Sequence, residues 1–316
     1  MIISASRRTD IPTFYSKWFE QRVREGFLYV RNPMNIHQVS RISLDPDVVD
    51  CIVFWTKNPI PMLDRLDAFA AYPYYFQFTL TGYGKDIEAH LPDKQRELIP
   101  AFQRLADGIG SEKVIWRYDP ITFTEVYTPD YHLRAIEKIA QQLEGRTEKC
   151  VISFVDTYRK NAKAMEALGT HSIEGDELVG FARRIAEIAG ERGMKVATCA
   201  EAIDLASVGI EHNCCIDAEL IGRIVGGKMK VGKDKAQRME CGCVASIDVG
   251  SYNTCGNGCR YCYANFSPTM VASNMAAYDW QSPMLCDALR EDDVVKDRKM
   301  KSLLDEDFAQ LPLFDV

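Results

Sequence analysis

Residues 114–120 read VIWRYDP. A short run of β-branched and aromatic residues, nearly continuous in its apolar character, predicts a strand buried on both faces. Its end carries Arg117 and Asp119, followed by Pro120. Working outward, the same composition recurs at Ile2–Ala5, Cys51–Trp55, Tyr74–Leu80, Val151–Val155 and Lys195–Thr198. Amphipathic stretches lie between these runs, and their spacing predicts helices over Tyr15–Glu25, Asp93–Gly108, Asp130–Leu143 and Glu174–Arg192. Alternating strands and helices mean a parallel sheet with crossover helices. No G-x-G-x-x-G follows any strand, so the dinucleotide-binding fingerprint is missing. The expected fold is therefore α/β, as a (β/α) barrel, complete or partial, of six or more strands.

Polar and charged residues gather after the C-terminal end of nearly every predicted strand, as at Ser6–Asp10, Thr56–Pro59, Thr79–Gly82, Asp156–Tyr158 and Cys199–Glu201. In a (β/α) barrel these ends converge on one face, where active sites sit. Arg7, Arg8, Lys57, Arg117 and Asp119 are thus the candidate catalytic rim. The first three suit a phosphate or carboxylate, whereas Arg117 and Asp119 can also pair with each other.

The chain has 316 residues, 47% hydrophobic and 26% charged, with a net charge of −7. That is a globular composition, not a disordered or disulfide-stapled one. The negative balance argues against general affinity for nucleic acid while leaving room for a local basic groove. No apolar run is long enough to span a membrane. The opening MIISASRRTD has Arg7 and Arg8 where a signal peptide needs apolar residues, so a cytoplasmic protein is expected. In that compartment clustered thiols read as metal ligands before disulfides.

There are 11 cysteines. Cys51 and Cys150 lie alone in strand-like runs and read as packing residues. Most of the others crowd between residues 199 and 262. Residues 255–262 read CGNGCRYC. Three thiolates at this Cys-x3-Cys-x2-Cys spacing can reach three irons of a [4Fe–4S] cube and leave the fourth without a protein ligand. Gly256 and Gly258 let the loop wrap closely. Zinc and unligated thiols are the alternatives, although a zinc ribbon needs a second Cys-x2-Cys pair.

This spacing, with Tyr261 just before the last cysteine, resembles the cluster loop of the radical-SAM superfamily. The resemblance implies that Cys255, Cys259 and Cys262 hold a [4Fe–4S] cluster and that S-adenosylmethionine (SAM) chelates its open iron. It also implies that Tyr261 contacts the adenine and that a flavodoxin or ferredoxin supplies electrons. Reductive cleavage of SAM to a 5′-deoxyadenosyl radical is the implied activity. Family members carry the loop after their first strand; here it follows residue 250. Val244–Val249 reads as its feeding strand and Tyr263 onward as its helix, an order that a circular permutation would explain. The superfamily's Gly-Gly-Glu stretch is missing, and Glu201 is the expected substitute. The whole chain also resembles an uncharacterised bacterial family with its cysteine cluster near the C-terminus, which implies no activity.

Cys199, Cys215, Cys241 and Cys243 are candidates for an auxiliary iron–sulfur cluster or a zinc ion, with buried thiols as the alternative. Lys228–Arg238 is a basic stretch that reads either as a solvated loop or as a nucleic-acid contact. From residue 288 the chain turns charged and aperiodic and then ends FAQLPLFDV. Gln310, Leu311, Leu313 and Phe314, around Pro312, resemble the pentapeptide by which bacterial DNA-repair proteins dock on the replication sliding clamp. Packing of these apolar residues onto the barrel is the alternative.

The expected organisation is a barrel core over 1–225, a cysteine-rich segment closing it over 226–287, and a tail over 288–316. The expected function is radical-SAM chemistry, with DNA or a nucleotide as substrate and the clamp as recruiter. A non-enzymatic iron–sulfur redox or DNA-damage sensing module is the alternative. A hydrolytic zinc barrel has no histidine cluster to support it.

Overall fold

The computed structural model describes residues 1–156 and 161–305. Its strands are β1 Ile2–Ala5, β2 Phe27–Asn32, β3 Asn35–Ser43, β4 Cys51–Thr56, β5 Tyr74–Thr79, β6 Val114–Ile121, β7 Lys149–Phe154, β8 Lys195–Thr198, β9 Glu211–His212, β10 Ile247–Asp248 and β11 Val294–Asp297. Eight of them form one sheet in the order β10-β1-β4-β5-β6-β7-β8-β9. Every neighbouring pair in it is parallel. The six runs read as strands are all present, and the fold is α/β with a large parallel sheet. Among the described residues its edges are β10 and β9, and no pairing between them closes a barrel.

The strands are apolar throughout because both faces are covered. Ile3, Phe54, Phe76, Trp116 and Ile152 face helices Ser16–Glu25, Ile99–Ile109, Pro129–Leu143 and Gly175–Gly190. Side chains alternate along a strand, so Ile2, Val53, Tyr75, Ile115 and Val151 face the other way. They pack on Cys215, Ile216, Leu220 and Ile221, the last two from helix Ala218–Val225. Toward the C-terminal strand ends this second face turns polar, with Trp55, Gln77, Arg117 and Ser153. Parallel strands bring those ends to one side of the molecule.

Local chemistry sets the helix boundaries. Thr128 caps Pro129–Leu143 by accepting from the Tyr131 N–H, with Pro129 in the first turn, where no N–H is required. Gly26 ends Ser16–Glu25 at φ 77°, a left-handed conformation that favours glycine.

Four segments differ from expectation. Phe27–Ser43 forms an antiparallel hairpin, and Val294–Asp297 adds a parallel strand to it. Residues from 288 onward, expected as a tether, are therefore tied down by backbone pairing and hydrogen bonds as far as they are described, although most remain exposed. Leu303 accepts from the Lys230 N–H, and Asp50 accepts from the Ser302 hydroxyl. Only Ile247–Asp248 of the expected strand Val244–Val249 pairs with β1. The helix expected from Tyr263 runs instead over Pro268–Ala276. Asn253 accepts from the Phe266 and Ser267 N–H groups and holds the preceding turn out of helix, and Ser267 then caps the helix. Thr157, Tyr158, Gln310, Leu311, Leu313 and Phe314 lie outside the described residues. No described helix is long and apolar enough to cross a membrane.

Candidate functional site

A cavity of about 840 Å³ opens at the C-terminal ends of the strands. That lies within the range of small-molecule sites. Arg7, Arg8, Lys57, Arg117, Asp119 and Tyr261 all line it, and so do seven cysteines: Cys199, Cys215, Cys241, Cys243, Cys255, Cys259 and Cys262. Glu201 is not among the lining residues. Its carboxylate accepts from the Phe154 N–H at 2.8 Å, and burial raises its pKa to about 7.

The cysteine loop is held from behind by most of the strand ends. Its feeding strand, β10, lies beside β1, where Asp248 accepts from the Ser6 hydroxyl at 2.6 Å and the Arg7 N–H at 2.8 Å. Buried Asp10 accepts from Asn257 at 3.0 Å, the Lys57 N–H at 2.8 Å and the Thr56 hydroxyl at 2.8 Å. The Ile87 carbonyl accepts from the Arg260 N–H at 3.0 Å, and Asn161 donates to the Tyr261 carbonyl at 3.1 Å. With its backbone satisfied by these outside partners, the loop turns its thiols to the cavity.

Glycine is required at two loop positions. A Cβ on Gly256 would stand 3.0 Å from Phe14 and Met275; one on Gly258, at φ 68°, would stand 3.0 Å from His90. Gly258→Ala is expected to cost about 1–2 kcal/mol for the left-handed backbone alone. That should lower the thermal midpoint by roughly 2–8 °C. Differential scanning calorimetry checks it, and an unchanged midpoint would mean the loop relaxes freely.

A buried ionic network supports the loop's last turn. Glu88, 1% exposed, accepts from Lys57 at 2.8 Å, from Thr81 at 2.9 Å, and from Lys94 and the Tyr261 hydroxyl. Burial alone would raise the Glu88 pKa, but the two ammonium groups pull it down to about 2. Burial likewise opposes the Lys57 charge, and Glu88 more than offsets this, leaving its pKa raised. The Tyr261 hydroxyl is thus committed to a structural bond, and its ring remains as a cavity wall.

On the opposite wall, Trp55 has Arg7 and Arg117 each 5.2 Å from its ring centroid. Arg117 Nε donates to Asp119 at 2.9 Å, and Asp119 also accepts from Ser153. Arg7 Nη2 is buried without a hydrogen-bond partner among the described residues. It is a donor available for an anion in the cavity.

The two cysteine groups face this space differently. Burial pushes the Cys259 thiol up to about 12 and raises Cys255 and Cys262 as well, so their ionisation calls for a compensating cation. The three sulfurs do not gather within 4.8 Å of one another. A single tetrahedral zinc, with Zn–S of about 2.3 Å, needs thiolates about 3.8 Å apart. As they stand, the three thiols are not preset at the spacing of a single ion. The other four cysteines, Cys199, Cys215, Cys241 and Cys243, come from three chain segments to one wall. Cys214 packs instead against Gly242, where a Cβ would fall 2.6 Å from its sulfur.

Sequence reasoning missed Asp10, Trp55, Glu88 and Asp248. Asp10 and Trp55 belong to strand ends already singled out and were legible there. Glu88 and Asp248 carry no local signal, because their roles come from partners far along the chain.

The fold and site together define an α/β protein with a cysteine-walled cavity at the C-terminal edge of a parallel sheet. Residues 2–264 match the family described as a domain of unknown function, DUF1848, and the chain belongs to that family. The match includes every cysteine of the cavity. No curated protein matches the chain.

Proposed function

We propose that this protein is an iron–sulfur enzyme of the radical-SAM kind, with its barrel circularly permuted and partial. The observation that carries the reading is topological. The order strand, Cys-x3-Cys-x2-Cys loop, helix is kept by Ile247–Asp248, residues 255–262 and Pro268–Ala276. Although last in the chain, this unit stands first in the sheet, beside β1. Joining the ends of such a barrel elsewhere changes the chain order and leaves the site unchanged.

Cys255, Cys259 and Cys262 would hold a [4Fe–4S] cluster, whose chemistry is to deliver one electron to bound SAM and split it to methionine and a 5′-deoxyadenosyl radical. The protein's own residues bind and orient. Arg7, with its unpartnered donor, and Lys57, beside the loop, suit carboxylate or phosphate oxygens. Trp55 and Tyr261 offer flat apolar walls to a base. The cationic rim favours an anionic substrate such as a nucleotide or a nucleic-acid backbone. Isolation without oxygen followed by chemical reduction with SAM tests the reading, and release of 5′-deoxyadenosine is the expected result. A full iron complement with no release would favour a redox or damage-sensing module instead.

A further inference from the structure

Four cysteines of the cavity remain outside that reading, and hydrogen-bond donors reach two of their sulfurs. Cys199 follows β8, and its Sγ lies 3.2 Å from that of Cys215. Cys241 and Cys243 line the same cavity as this pair. Cys215 Sγ accepts from Arg117 Nη1 at 2.8 Å and Asn213 Nδ2 at 3.0 Å, and Cys243 Sγ accepts from the Ile216 N–H at 3.3 Å. Donors aimed at sulfur in this way stabilise thiolates and tune a bound metal.

The backbones beneath are fixed. The Cys215 carbonyl accepts from the Tyr75 hydroxyl at 2.7 Å and Gln77 at 2.8 Å, and the Cys243 carbonyl accepts from the Asp234 N–H at 2.9 Å.

We propose that Cys199, Cys215, Cys241 and Cys243 form a second metal centre, in which four thiolates hold a thiophilic metal opposite the loop triplet. Binding a divalent ion releases the four thiol protons and leaves a site of charge −2. Arg117 and Arg7, both beside the quartet, offset that charge. As they stand, no three of the sulfurs lie within 4.8 Å of one another. Rotation of the side chains about their Cα–Cβ bonds would bring the sulfurs toward the roughly 3.8 Å spacing of a tetrahedral ion. The shared chemistry is tetrathiolate ligation; acid-labile sulfide distinguishes a single ion from a cluster.

The site does not depend on radical chemistry at the triplet, and neither does its test. Cobalt(II) is titrated into the reduced full-length chain bearing Cys255→Ala, Cys259→Ala and Cys262→Ala. Tetrahedral cobalt–thiolate absorption saturating near one ion per chain is expected, and adding Cys215→Ser and Cys241→Ser should abolish it. No such absorption, or absorption that survives the added substitutions, overturns the proposal. Should the triple variant fail to fold, the unsubstituted chain and Cys215→Ser are compared for total zinc, iron and sulfide per chain. Equal contents then overturn it.

Discussion

Cys259→Ala is expected to reduce 5′-deoxyadenosine release from the reduced protein and SAM to background. The fall should be at least about 10³-fold, or roughly 4 kcal/mol in barrier. Cys259 is the middle proposed ligand of the triplet and sits at the point where the loop bridges to Glu88. In that proposal the nearest cysteines in sequence, Cys255 and Cys262, already hold positions of their own. Two thiolates cannot hold a cubane that keeps a single vacant iron, so the cluster itself should be lost. The fold should survive, because the change removes only one sulfur atom and leaves the loop's backbone bonds in place. Chromatographic quantification of 5′-deoxyadenosine, alongside iron per chain, checks both parts. Retained turnover with undiminished iron would place the cluster elsewhere and remove the proposed ligand set.

Glu88→Gln should be the most destabilising single substitution around the site. The carboxylate neutralises two partly buried ammonium groups, Lys57 and Lys94, and also receives the Thr81 and Tyr261 hydroxyls. An amide keeps the shape but not the charge, and its NH2 group must face donors. Removing one member of a buried ion pair costs about 3–5 kcal/mol, since the remaining charge is left without compensation. In a chain of this size that corresponds to a fall in thermal midpoint of roughly 6–20 °C.

The pH dependence has a definite sign. The folded-state pKa of Glu88 is depressed to about 2 from an ordinary 4.5. Its contribution is therefore complete above about pH 4.5 and is lost as pH falls through 2. The gap between wild type and Glu88→Gln should be widest near neutrality and shrink below pH 4.5. Thermal unfolding at pH 7 and pH 3 measures it. A gap that stays constant, or widens in acid, would show that the carboxylate is not held ionised by its two lysines.

Much of the fold was legible because burial on both faces leaves a local trace. Runs such as Cys51–Trp55 and Val114–Tyr118 have no polar alternation, and only a covered parallel sheet explains them. The rim was legible for a related reason: polar residues directly after such runs have nowhere to go but the sheet's C-terminal edge. The hairpin Phe27–Ser43 was missed because Ile36, Val39 and Ile42 recur every third residue rather than every second, and only the Asn-Pro turn signalled it. The strand Val294–Asp297 was not readable. Its four residues are exposed, and only pairing with β3 makes them a strand.

From the order of its residues alone, this protein has a parallel α/β architecture and a loop of three closely spaced cysteines. Both follow from short-range periodicity and spacing, which the chain carries wherever it folds. Tertiary structure decided the rest. It brought β10 beside β1, so that the loop from the far end of the chain meets Arg7 and Lys57. It also buried Glu88 between two lysines and gathered Cys199, Cys215, Cys241 and Cys243 from three segments. Each of these depends on contacts between residues distant in sequence, and such contacts leave no mark on the neighbours of the residues that make them.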